Sequence, residues 1–474
     1  MTASQLPILS EDFLMSMGRR PAEHQDDLWV PTADLPRSPG HVFYDKLNGL
    51  LAQANFDRYV EDLCQSYYAD GIGRESIPPG VYFRMLLVGY FEGLDSQRAI
   101  AWRCSDSLSL RAFLGIPLTE ATPDHSSLTK IRQRLPLDVH EQVFTFVLGI
   151  AQEKRLLRGK TVAADATTLE ANAAMKAIVR KDSGEDWKEY LRRLMAEEGI
   201  ESPSDEEVRR FDKKRKKKVS NREWQSPADP DSKIARMKDG TTHLAYKAEH
   251  VVDLDSELVL AAEVYPADCA DPATLVDSVL KAQVNLVLAG SEQEIEEAVA
   301  DKGYHKAQTL AECQRCNTRT YIPEPKGRKY NWEDKPPEWR RATAANRRRV
   351  RGARGKRLQK LRSELVERSF AHVCETGGGR RTWLRGLVNV AKRYAVQVAG
   401  YNLGVLMRKL FGVGKPRTLQ GAGGWLVWIA WWWYWLFALP GGRRNGRTPA
   451  PHLSLMACHW QADRSQRAFF STAC

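Results

Sequence analysis

The sequence predicts an α+β protein, an all-helical N-terminal domain followed by a mixed sheet with flanking helices. Three observations carry this. Apolar residues recur at helical spacing between residues 40 and 155, short strands rich in small and β-branched residues begin after Gly159, and a highly charged stretch interrupts them over about 170–238. At 474 residues, 43% hydrophobic and 27% charged, the chain can bury a substantial core across two or three domains.

In the first part, Phe43, Leu47, Leu50 and Leu51 recur at helical spacing. Tyr82, Met85, Leu86 and Tyr90 do the same after a Pro78-Pro79-Gly80 break that starts a helix. A second break, Pro123-Asp-His-Ser-Ser127, precedes Leu128-Thr-Lys-Ile-Arg-Gln-Arg-Leu135, with Asp124 or Ser126 as the cap. Lys130, Arg132 and Arg134 give that helix a basic surface, which suits a DNA-binding head and equally a solvated structural helix.

After Gly159, Thr161-Val-Ala-Ala-Asp-Ala-Thr167 reads as a short buried strand ending at an acid. Residues 170–238 carry six successive basic residues at 213–218 and read as an inserted, mostly helical or mobile excursion. Strand patterning returns over 242–252 and 258–265 as a hairpin. Asp271-Pro272 supplies a cap and a first-turn proline for a helix over 271–285. Another strand ends at Asp301, residues 319–323 form one more, and a basic loop leads to a helix over about 356–373.

A net charge of +12 favours a polyanionic partner such as nucleic acid, although solubility alone is also served by it. Eight scattered cysteines do not make a disulfide framework, and residues 1–20 lack a basic segment followed by an apolar one, so a reducing cytoplasm is expected. Cys313-Gln-Arg-Cys316 has the spacing of half a zinc site with no second half, and no Walker-type phosphate loop occurs, so neither zinc nor ATP is expected. Residues 425–439 form an apolar run with six tryptophans. It is shorter than the roughly 20 residues of a spanning helix, and its composition suits an interface or a packed core. The Gly-, Arg- and Pro-rich tail beyond it reads as loop.

Three acids stand out by their settings: Asp165 and Asp301 follow apolar strand residues, and Glu367 lies in a basic helical stretch. Phosphodiester chemistry needs an activated oxygen nucleophile and a stabilised leaving oxygen. Hard divalent ions held by carboxylates supply both. Each acid alone has a structural use: Asp165 to cap a turn, Asp301 to start a loop, Glu367 to pair with Arg368 or Arg362.

The neighbours of these acids carry a resemblance. Val162-Ala-Ala-Asp-Ala-Thr-Thr168, Ala300-Asp-Lys-Gly-Tyr-His305 and Glu364-Leu-Val-Glu-Arg-Ser-Phe-Ala-His372 resemble the three active-site boxes of bacterial insertion-sequence DDE transposases. Pro123-Asp-His-Ser-Ser-Leu-Thr-Lys-Ile-Arg132 is similar to the N-terminal helical domain of that group, and Arg380-Arg-Thr-Trp-Leu-Arg-Gly386 with Tyr401-Asn-Leu403 resembles the segment after the glutamate. The matches run in family order over about residues 30–420. The resemblance implies an RNase H-like catalytic domain that uses Mg²⁺ or Mn²⁺, with Asp165, Asp301 and Glu367 as metal ligands. Glu364, one turn earlier, is the competitor for the third place. Of the family's auxiliary tyrosine, arginine and lysine, this chain has Lys360 and Cys374 at the outer positions and Arg362 one residue off, so those roles do not transfer.

The expected organisation is an extension over 1–39, a helical DNA-binding domain over 40–158, an RNase H-like domain over 159–412 and a tail over 413–474. Lys213 and Lys214, Arg347, Arg348 and Arg349, and Arg381 and Arg385 are the expected phosphate contacts beside those of the basic helix. Trp332 and Trp339 are candidates for stacking on unpaired bases, with burial as the commoner use. The expected partners are double-stranded DNA, as terminal inverted repeats and target, and further copies of the chain, with no stable membrane association. The expected location is the bacterial cytoplasm, at the nucleoid. Two rivals stand beside this reading: a transposase-derived DNA-binding protein that has lost catalysis, and an RNase H-like nuclease that cuts without joining.

Overall fold

The computed structural model describes residues 39–69, 75–215, 219–237, 240–327 and 330–416, together with Trp29 and Pro31. The expectations for residues 216–218 and for the Trp-rich stretch 425–439 fall outside the described residues.

Among the described residues the head comprises seven α-helices: α1 (Pro39–Gln53), α2 (Phe56–Cys64), α3 (Pro79–Glu92), α4 (Gln97–Asp106), α5 (Leu108–Leu114), α6 (His125–Arg134) and α7 (Leu137–Glu153). Pro79 opens α3, where a missing N–H costs nothing because the first-turn donors have no intrahelical partner. Asp124, not Ser126, caps α6: its Oδ1 accepts from the Ser126 N–H at 2.8 Å. Phe43, Leu47, Leu51, Tyr82 and Met85 are buried together, as their spacing requires.

The second part begins with β1 (Thr161–Glu170). An insertion follows, in which β2 (Val179–Arg180) pairs with β3 (Trp224–Gln225) around α8 (Trp187–Glu197) and α9 (Asp205–Lys214). The insertion is folded: Leu191, Met195 and Val208 form a small core of their own. Both its helices start in capping boxes, Asp186 with Glu189 and Ser204 with Glu207. Next come β4 (Lys233–Arg236), β5 (Thr242–Asp253), β6 (Val259–Pro266), α10 (Asp271–Leu288), β7 (Glu297–Ala300), α11 (Ala307–Arg315), β8 (Arg319–Tyr321), α12 (Pro337–Arg351), α13 (Ala353–Phe370) and α14 (Leu387–Phe411).

The strands run β8–β7–β1–β5 across the sheet, with β4 and β6 both paired to β5. The β1–β7 and β7–β8 pairs are parallel, and β5 is antiparallel to β1 and β6. This is the RNase H-like layout.

Four local expectations need correction. The first strand does not end at its acid, because β5 pairs with β1 as far as Glu170 while β7 leaves it at Ala164. Residues 233–236 belong to the main sheet, not to the insertion. Most of the basic stretch before the last acid is helix α12 and not loop; arginine is a good helix former, and Ala342, Thr343 and Asn346 give that helix a buried face. Ala270, not Asp271, is the N-cap of α10.

Helix α14 joins the two parts. At 25 residues it is about 37 Å long. It packs against α3 and α7 of the head and against β6 of the sheet. Gly400 makes the close approach possible, since a Cβ there would lie 2.6 Å from the Tyr90 ring. The Asn402 amide takes the Val259 N–H at 2.9 Å and donates to the Val259 carbonyl at 2.8 Å, acting as a strand partner for the edge of β6. Head and sheet share one continuous apolar core.

Candidate active site

Parallel pairing of β1 with β7 sets Ala164 opposite Ala300. The residues that follow, Asp165 and Asp301, therefore lie side by side where the parallel ladder stops. Beyond that point β7 no longer pairs with β1, and this edge stays open beside Asp301 until Arg380–Thr382 bridges it at Glu170.

The Asp165 side chain is 24% exposed. Its Oδ1 accepts from the Ala166 N–H at 2.8 Å and its Oδ2 from Arg362 Nη1 at 2.5 Å. Burial pushes its carboxyl above the ordinary value, Arg362 and the Ala166 N–H pull it back, and the charge of Asp301 pushes it up again. Asp301 caps the 3-10 turn Lys302–Tyr304 through an Oδ1 bond to the Gly303 N–H at 2.7 Å.

Helix α13 crosses the same strand ends. Gln359 Nε2 donates to the carbonyls of Ala300 (3.1 Å) and Tyr321 (2.6 Å), at the ends of β7 and β8. Three residues on, Arg362 shares that helix face and reaches Asp165. Beside Asp165 on the same face of the sheet, its cross-strand neighbour His250 is fully buried. The imidazole stacks on Phe370 at 4.1 Å and is bonded to Ser369 Oγ (2.8 Å) and Tyr394 OH (2.7 Å), and burial pushes it down to about 3.

Glu367 is exposed on α13, and its Oε1 accepts from Ser363 Oγ at 2.9 Å. Glu364 pairs with Arg368 at 2.6 Å, and Arg368 reaches Glu257 at 3.1 Å. Among the described residues no group of three or more His, Cys, Asp and Glu side chains is gathered closely enough to hold a metal ion. The fold thus brings two of the three expected acids together and keeps the third on the helix that spans them. As donors, the two aspartates suit a divalent ion. They offer hard carboxylate oxygens, and the charge of Asp301 raises the cost of charge on Asp165, which a cation between them would relieve. Arg362 is the cation that stands on Asp165 in this structure.

The expected DNA contacts separate into two sets. Lys130, Arg134, Lys213, Lys214, Arg348, Arg381 and Arg385 are exposed. Arg381 and Arg385 flank the far end of β1, where Arg381 faces Glu170 at 3.6 Å and Arg385 donates to the Asn172 carbonyl at 3.2 Å. Arg132, Arg347 and Arg349 are engaged with the protein instead. Arg132 is half-buried over the Trp383 ring, Arg347 pairs with Glu324 at 3.0 Å, and Arg349 donates to the Thr320 carbonyl at 2.9 Å. Trp332 is half-buried and stacked on Tyr330, and Trp339 packs against the core. Cys313 is buried and Cys316 exposed.

Sequence reasoning did not single out Lys247 and Glu249, which reach the Asp301 turn through Asp271 and Tyr304. Their signal was a lysine and a glutamate two apart, on one face of an otherwise apolar strand. No helix among the described residues is long and apolar enough to cross a membrane.

Residues 33–134 match the family model of a transposase domain (DUF772), and residues 290–407 match that of a transposase DDE domain. The second match holds Asp301 and Glu367. No curated protein matches the chain.

Proposed function

We propose that the chain, which belongs to the insertion-sequence DDE transposases, cuts the ends of its own element and joins the freed 3′-hydroxyls to target DNA. The observation that carries this reading is the pairing of Ala164 with Ala300, which sets two carboxylates side by side on the β1–β7 pair. Asp165 and Asp301 would hold divalent metal, with Glu367 completing the set by turning from Ser363. The ion would supply what the carboxylates alone lack, activation of the attacking oxygen and stabilisation of the leaving one.

The chain's own residues do the rest. Register fixes the two aspartates, and Arg362 balances the charge of Asp165 until a ligand replaces it. Exposed cations at Lys130, Arg134, Arg348, Arg381 and Arg385 would neutralise backbone phosphates along the bound DNA, so binding should weaken steeply with salt.

The test uses full-length protein, labelled terminal-repeat DNA and Mg²⁺ or Mn²⁺, with separation of cleaved and joined products. Both products are expected. Binding without cleavage would show a DNA-binding protein that has lost catalysis, and cleavage without joining would show a nuclease.

A further inference from the structure

Behind the Asp301 turn lies an ion pair that the proposed chemistry does not use. Lys247 on β5 is only 6% exposed, and its Nζ lies 2.8 Å from Asp271 Oδ1 and 3.3 Å from Glu249 Oε2. It also donates to Thr274 Oγ1 at 2.9 Å. Asp271 is the first residue of α10, where the helix dipole favours a carboxylate. The Glu249 side chain is fully buried. Its Oε2 takes the hydroxyls of Thr274 (2.7 Å) and Tyr304 (3.0 Å), and its Oε1 has no hydrogen-bond partner among the described residues.

These contacts meet the Asp301 turn at both ends. Tyr304 closes the turn and is tied to Glu249, while Asp301 opens it and is tied to the Gly303 N–H. Gly303 lies between them. A Cβ on it would stand 2.9 Å from Asp301 Oδ1 and 3.0 Å from Asp271 Oδ2, so two carboxylates bracket one α-carbon. Like charges so close to the same atom need a cation nearby, and Lys247 supplies it from the other oxygen of Asp271.

We infer that Lys247 and Asp271 are positioning residues for Asp301. Their ion pair is the wall against which the Asp301–Gly303 turn is set, and it holds one Asp301 oxygen on the Gly303 N–H so that the other is left for the ion. This rests on the reading of Asp301 as an ion-holding carboxylate. The alternative role for Lys247, a counter-charge and nothing more, has the opposite consequence. Removing a buried cation beside acids strengthens their pull on a divalent ion, whereas removing a wall weakens it.

The experiment titrates full-length protein with Mn²⁺ alone and reads free ion by electron paramagnetic resonance. Cleavage of terminal-repeat DNA is then followed against Mn²⁺ concentration. Lys247→Met and Asp271→Asn should each weaken Mn²⁺ binding about tenfold, as loss of an outer partner does, and raise the Mn²⁺ needed for half-maximal cleavage more than they lower the maximal rate. Gly303→Ala, on an exposed turn, should weaken binding as much by displacing Asp301, and it carries the test if the core variants do not fold. Mn²⁺ binding by Lys247→Met as tight as in the parent protein, or tighter, overturns the inference, and so does unchanged binding by Gly303→Ala. Asp301→Ala separates the two levels: if it leaves Mn²⁺ binding intact, the reading of the site itself fails.

Discussion

Asp165 and Asp301 stand on strands, and Glu367 stands on a helix, and the two settings hold a carboxylate in different ways. On β1 and β7 the parallel ladder aligns the main chain, so the two side chains start from neighbouring positions whatever their rotamers. On α13 the hydrogen bond of Glu367 among the described residues is to Ser363, one turn back in the same helix. A hydroxyl bond to an exposed carboxylate is worth about 1.5 kcal/mol net, little enough to be exchanged for a better ligand. One half of the candidate site is therefore built by backbone pairing, and the proposed other half would need a side-chain rotation to join it.

The strand half gives the largest expected effect. Asp301→Ala should lower cleavage of terminal-repeat DNA by about a thousandfold or more, since a misplaced divalent ion forfeits several kcal/mol of transition-state stabilisation. End binding measured by gel shift should remain. Retained cleavage would break the comparison at its firmer end.

The helix half gives an intermediate effect and a choice between neighbours. Glu367→Gln should cost about a hundredfold in cleavage, less than the strand variant because two aspartates remain to hold the ion. Glu364→Gln loses only its partly exposed pair with Arg368, a contact worth roughly 0.5 kcal/mol, and should stay within about threefold of the parent rate. If Glu364→Gln is the worse of the two, the third acid is Glu364.

The smallest effect is on stability, and it compares the sheet with the head. His250 beside Asp165 is pushed down to about 3, and His140 in the head, bonded to Tyr82 OH at 3.0 Å, to about 4, both mainly by burial. An unfolded imidazole takes up its proton below about pH 6.5, whereas these two stay neutral until pH 4 or lower. The unfolded chain thus binds more protons as the pH falls from about 6.5 towards 4, and the folded state loses stability over that window. The urea midpoint should be lower at pH 5 than at pH 7, and a midpoint that rises would show that these imidazoles are charged in the fold.

Much of the candidate site was legible because its residues lie in short, locally distinctive strings. The strand before Asp301, the β5–β6 hairpin and the proline that opens α3 follow from neighbours in the chain. What depends on register was not legible. That β1 continues past Asp165 is decided by β5, nearly ninety residues away in sequence, as the pairing of Asp165 with His250 shows. Helix α12 was hidden because a run of arginines reads first as charge and only second as good helix-forming residues. Arg132 lies among basic neighbours in a helix, and only the packing of Trp383 reveals that it points inward. The Lys247–Asp271 pair joins a strand to a helix start, and no string of residues announces it.

Helix α14 has a consequence for where DNA would be cut. Because the same rod packs on both α7 and β6, the basic edge of α6 and the Asp165–Asp301 pair belong to one packed body and are not joined by a bare linker. Lys392 of α14 adds a clamp at the near end, its Nζ on the Arg132 carbonyl at 3.0 Å. If α6 seats on DNA as proposed, the position of the nick would follow from the spacing between α6 and that pair.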